Sequence, residues 1–90
     1  MKINVTREHI KTAKCGDARK CAVAQAIFEQ VPGAKEVSVN GLAARINGLQ
    51  FPLNKRVQQF ISNFDNIGLD YAKYTRTTLP TISFELKGLA

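Results

Sequence analysis

The chain has little that is suited to chemistry. It holds one histidine, His9, and two cysteines, Cys15 and Cys21. Two cysteines are too few for a disulfide framework. His9, Cys15 and Cys21 recur at intervals of six and supply at most three soft ligands. A structural zinc site takes four, usually from cysteine pairs two to four residues apart. The same spacing keeps the two thiols off a common helical face and is not the CxxC of a redox pair. There is no Gly-x-Ser-x-Gly and no glycine-rich phosphate loop. Glu29, Glu36, Asp65, Asp70 and Glu85 are scattered, each with a cap or surface role available. The opening MKINVTREHI lacks the apolar core of a signal peptide, and no apolar run approaches a membrane span. The expectation is a protein that is not an enzyme, with no metal, no cofactor and no membrane partner, in a reduced, cytosolic setting.

What is present is an ordinary globular composition, 44% hydrophobic and 22% charged, in 90 residues that make one domain over 1–90. A domain of that size buries roughly 60–65% of the surface its unfolded chain exposes, enough for a core but with little margin. Acidic residues are few: 7 against 13 Lys and Arg, a net +6. Much of the excess lies at the start, where Lys2, Arg7, Lys11, Lys14, Arg19 and Lys20 face only Glu8 and Asp17. A basic end of this kind attracts nucleic acid, an anionic membrane or an acidic protein face, and equally serves solubility.

Along the chain, KINV alternates as a short strand with Ile3 and Val5 on one face. Thr6 caps a short helix running to about Ala13, with Glu8 in its first turn and His9 on its surface. Asp17 is placed to cap a second helix that ends at Pro32-Gly33. In it Cys21, Ala24, Ile27, Phe28 and Val31 form one stripe, widened by Ala22, Val23 and Ala26, so Cys21 reads as a small core hydrophobe. Asn40-Gly41 and Asn47-Gly48 punctuate EVSV, LAARI and LQFPL. Asn-Gly suits type I′ turns, so the two pairs predict a three-strand antiparallel meander over about 36–53, with Pro52 at an edge or strand end. Asn54 caps an amphipathic helix with Val57, Phe60, Ile61 and Phe64 inward. LDYAKYTRTTLPT has no period and reads as a loop. TISFEL closes as a strand with Ile82, Phe84 and Leu86 inward. The fold class is α+β: a single domain with a meander extended by the terminal strands and two main helices packed on one face.

VTREHI, GDARKCAVAQAI, FISNFDNIG and ISFEL together resemble a family of small proteins encoded by bacteriophages and prophages. That family has a Cys-Pro-Val-Ala-like helix start and a later Phe-Ile-x-x-Phe-Asp. The resemblance spans most of the chain in order, and implies a phage or prophage origin and a place in the host cell cytoplasm. The family brings no assigned activity, so no catalytic residue carries over. Two departures stand out. Ala22 replaces the proline, freeing the helix to begin at Asp17, and the loop LDYAKYTRTTLPT is longer than the family's connection.

With no catalytic constellation, the candidates are binding residues. Tyr71 and Tyr74 alternate with Lys73 and Arg76, a mixture that single-strand binders use for stacking and phosphate contact, and that protein interfaces also use. Lys11, Lys14, Arg19 and Lys20 make the basic region beside them in the count. Two functions follow as expectations. One is a small non-enzymatic phage accessory protein that binds a host protein or protein complex, as an inhibitor of a host defence or process. The alternative is a nucleic-acid-binding protein using the basic N-terminal region and the tyrosine loop.

Overall fold

In a computed structural model, which describes residues 1–87, the order is β1 (Lys2–Val5), α1 (Arg7–Thr12), α2 (Ala22–Gln30), β2 (Val37–Val39), β3 (Ala43–Ile46), β4 (Leu49–Pro52), α3 (Lys55–Asp65) and β5 (Ile82–Glu85). The architecture is α+β. Strands β2, β3 and β4 form the antiparallel meander, and β1 pairs antiparallel with β5 as a sheet of its own. The terminal strands therefore find each other rather than a meander edge. Both meander edges have a reason to refuse them: the Val39 amide of β2 is bonded to the Ala18 carbonyl at 2.8 Å, and β4 ends in Pro52, which has no amide to give.

One core lies between these layers. Ile3 and Val5 of β1, Phe84 and Leu86 of the C-terminal segment, Val37, Val39, Ala44, Ile46 and Phe51 of the meander, and Val57, Phe60, Ile61 and Phe64 of α3 all belong to it. Helix α2 packs against β1 and β2 and so bridges the two sheets, while α3 packs on β5. Its small side chains Ala22, Ala24 and Ala26, all fully buried, permit that close approach.

Three local expectations are corrected. First, α2 starts at Ala22, not Asp17. Asp17 closes a turn of its own, taking the amides of Arg19 and Lys20 on Oδ1 and that of Cys21 on its carbonyl. Cys21 is the N-cap, its Sγ accepting from the Ala24 amide at 3.4 Å. Second, Phe28 is 56% exposed. Because α2 is apolar nearly all round, its pattern fits either flank, and the sheets cover the flank of Ala22, Val23, Ala26 and Ile27. Third, His9 is buried, not on the surface. Its Nδ1 accepts from the Thr6 amide at 2.9 Å while its own amide donates to Thr6 Oγ1 at 3.4 Å, a reciprocal capping box at the start of α1. With Nδ1 accepting, Nε2 carries the proton and faces Glu29 Oε2 at 3.4 Å.

The two Asn-Gly pairs also part company. Asn47 and Gly48 have φ of 50° and 83°, as a type I′ turn requires. Asn47 does more: its Oδ1 accepts the amides of Lys35 and Glu36, and its Nδ2 donates to the Gly33 carbonyl, fixing the approach to β2. At the other pair Gly41 is outside the left-handed region. There Asn40 Oδ1 accepts the amides of Leu42 and Ala43, both at 2.8 Å, so a side chain replaces the backbone carbonyl of the turn.

The two glycines are thus unequal. Gly48→Ala should cost about 1–2 kcal/mol, because an L-residue must adopt the left-handed conformation. Gly41→Ala should be neutral or slightly stabilising, since no atom lies within 4 Å of its added Cβ. Urea melts of the two variants check the contrast; equal losses would contradict it.

Candidate functional site

The loop between α3 and β5 is built on Arg76. Its Nη1 donates to the carbonyls of Ile10 and Ala13, each at 2.7 Å, and its Nη2 lies 3.8 Å from Cys15 Sγ. The last carbonyls of a helix have no partner within it, and in α1, only six residues long, this guanidinium supplies one. A cation there also suits the negative end of the helix dipole. The guanidinium carbon sits 5.6 Å from the Phe64 ring centroid, and the Arg76 carbonyl accepts from Arg7 Nη1 at 3.0 Å. Thr75 and Thr78 close the turn around it, with the Thr75 amide donating to Thr78 Oγ1 and the Leu79 amide to the Thr75 carbonyl.

This anchoring decides what each candidate residue presents. Arg76 is turned inward and its fork is occupied. Tyr74 is half-buried, packed on the core, with Lys73 Nζ 5.6 Å from its ring centroid. Tyr71 is 74% exposed and Leu69 46%. Lys11, Lys14, Arg19 and Lys20 are all exposed. Lys14 and Lys20 stay together, the Lys14 amide donating to the Lys20 carbonyl at 2.9 Å, while Arg19 is drawn aside. The bonds of Arg76 to residues 10 and 13 set Lys11 and Lys14 beside the loop. The bond between Ala18 and Val39 instead carries Arg19 to the meander, where it lines a cleft of about 90 Å³ with Glu36, Ser38 and Arg45. Arg45 is the outward position of β3, and nothing in its own segment marks it as a neighbour of Arg19.

The residues with reactive side chains are committed elsewhere. Cys15 Sγ donates to the Phe64 carbonyl at 3.1 Å. Burial pushes its thiol above the ordinary 9.0, against the pull of Arg76. Burial pushes Cys21 up as well, opposed by its bond from the Ala24 amide. Both are thiols, not thiolates, near neutral pH. Among the described residues, no group of three or more His, Cys, Asp or Glu is placed to hold a metal ion, and no helix is long and apolar enough to cross a membrane.

Two hollows remain. A cleft of about 230 Å³ between Gly16–Ala18, the Asn40–Gly41 turn and α3 holds Asp17 and Asp65, but Asp65 Oδ1 is taken by the Gly16 amide. A groove of about 260 Å³ runs between α3 and the start of β5, floored by Phe60, Leu79 and Ile82, walled by Tyr74, and flanked by Arg56, Gln59 and Asn63. These polar residues stand at helical spacing on α3, a pattern indistinguishable in sequence from a plain solvated face. Comparison of the chain with protein-family models, with curated proteins and with solved structures finds no match.

Two outcomes test this assignment. Arg76→Ala should cost about 2 kcal/mol through lost charge-assisted hydrogen bonds, and Arg76→Lys should recover only part, lacking the fork. Lys73→Ala should fall within about 0.5 kcal/mol of wild type. For the thiols, the unfolded chain releases its proton first, so stability is unaffected below 9.0 and declines as pH rises past it. Cys21→Ser keeps the cap and should lose less stability than wild type between about pH 8 and about pH 10. Parallel curves would contradict the buried-thiol reading.

Proposed function

We propose that the chain is a small non-enzymatic accessory protein of phage or prophage origin that acts by binding a host macromolecule, in the first place a host protein. The observation that carries this reading is the pinned loop. Arg76 fixes its base, while Leu69 and Tyr71 project from it into solvent instead of folding onto the core. An exposed aromatic on a pre-ordered base gains contact area at small entropic cost, the usual way an interface anchor is made. The histidine and both cysteines serve caps and carbonyls, which fits a role in binding better than one in turnover. Host cytoplasm is the compartment that the phage resemblance suggests.

Immobilised protein should capture one stoichiometric partner from bacterial lysate, and Leu69→Asp or Tyr71→Ala should release it. Capture of no partner by the wild type, with measurable turnover of any substrate, would overturn the reading.

A second reading is favoured by one placement: Lys11 and Lys14 lie beside the same loop as Tyr71 and Lys73. If the loop takes single-stranded nucleic acid, affinity for a short oligothymidylate falls with salt by roughly 0.7 log units per phosphate neutralised, and Tyr71→Ala costs about 1–3 kcal/mol. No binding at low salt removes this alternative.

A further inference from the structure

Strand β5 has one edge in use and one open. Leu86 and Met1 exchange backbone bonds, the Leu86 amide to the Met1 carbonyl at 2.8 Å and the Met1 nitrogen to the Leu86 carbonyl at 3.3 Å. In an antiparallel register of Ile3 with Phe84 and Val5 with Ile82, the pairs two residues on from Leu86 are likewise the bonded ones. The amides and carbonyls of Ser83 and Glu85 then point away from β1. Among the described residues nothing bonds them. The equivalent edge of β1 is treated differently: Gln30 lays its amide against Asn4, accepting from the Asn4 amide at 2.8 Å and donating to its carbonyl at 2.7 Å, as a neighbouring strand would.

The other sheet edges are blunted, by Pro52 on β4 and by the Ala18 bond on β2. An unprotected edge is a template for another chain, and proteins normally cover it. Here it adjoins the groove floored by Phe60, Leu79 and Ile82, with Arg56 on its flank. Arg56 has no ion-pair partner among the described residues. It also stands beside Lys55 in the first turn of α3, where the helix's own positive end makes cations unfavourable and a carboxylate favourable. The carboxylate of Glu85 is taken up by the Met1 amino group at 3.1 Å, so it does not neutralise this corner.

We propose that the open edge of β5 and the groove beside it receive an extended, acidic segment of a partner protein as an added strand. Its backbone pairs with Ser83 and Glu85, one apolar side chain fills the groove floor, and one carboxylate meets Arg56. The alternating donors and acceptors of the edge match a polypeptide and not a sugar-phosphate chain. A second copy of this chain fits poorly. It would bring two bodies of charge +6 together with a second Arg56, whereas an acidic segment is complementary to both. This rests on the reading of a protein partner given above and adds a surface distinct from Leu69 and Tyr71.

The test is selection of a displayed random nine-residue peptide library on the folded full chain. Enriched peptides should share an acidic and an apolar residue at fixed spacing. Arg56→Ala should weaken their binding about tenfold or more, as loss of one charge-assisted contact implies. Ser83→Pro removes the outward amide together with the hydroxyl's bond to Asn4 Oδ1 and should abolish binding, whereas Ser83→Ala, which removes that hydroxyl bond alone, should leave it intact. Should Ser83→Pro fold poorly, N-methylation of the peptide at alternate positions replaces it: one register should abolish binding and the other leave it unchanged. No enrichment overturns the proposal. So does binding indifferent to Arg56, Ser83 and N-methylation, displacement of the peptides by oligothymidylate, or a concentration-dependent dimer lost in Ser83→Pro. Capture of the same lysate partner by wild type and Ser83→Pro would sink the edge and leave the proposed function standing; no capture by the wild type, with measurable turnover of a substrate, would sink the proposed function whatever the peptides show.

Discussion

The pairing of residues 2–5 with 82–85 is the constraint under which the rest of the molecule is arranged. A two-stranded ribbon is marginal by itself, so both of its strands must be covered on the face of Ile3, Val5, Phe84 and Leu86. Helix α2 does this for β1 and also reaches β2, which ties the terminal ribbon to the meander through one element. Gln30, at the end of the same helix, completes the cover by satisfying the β1 edge at Asn4. Closing so long a loop is entropically costly. Arg76 offsets part of that cost by fixing the returning segment on α1 before it enters β5.

Much of the fold was legible because its signals are local. The stripe of Val57, Phe60, Ile61 and Phe64, the caps at Thr6 and Asn54, and the alternation of ISFEL each specify their own element, and all appear where the pattern places them. The meander was legible from its turns. Where reading failed, the deciding partner lay far along the chain or the local pattern was degenerate. Helix α2 has apolar residues on both flanks, so only the sheets choose between Phe28 and Val23. Asn40 and Asn47 precede glycine alike, yet one uses its side chain within the turn and the other bonds to residues 33, 35 and 36. Nothing in REHI says that the His9 ring folds back on Thr6 beneath Glu29.

The candidate site was legible in composition and not in arrangement. The tyrosine loop was found because aromatic and basic residues alternate in it. That alternation does not reveal that Arg76 is the base of the loop and Tyr71 its tip, since the difference is made by carbonyls some 63 to 66 residues away. Likewise the N-terminal charge looked like one block. The fold divides it, leaving Lys11 and Lys14 near the loop with Lys20 bonded to Lys14, and sending Arg19 towards Arg45. The open side of β5 could not be read from TISFEL, because which amides face outward depends on the register with β1.

Residue-resolved amide hydrogen exchange of the isolated monomer tests that arrangement most directly. The account predicts alternation in the last strand: the amide of Phe84, bonded to β1, exchanges near the global unfolding limit, that of Leu86, bonded to Met1, is protected as well, and those of Ser83 and Glu85 exchange orders of magnitude faster. Ser83 and Glu85 amides as slow as Phe84 in the monomer would contradict it, for the edge would then already be covered.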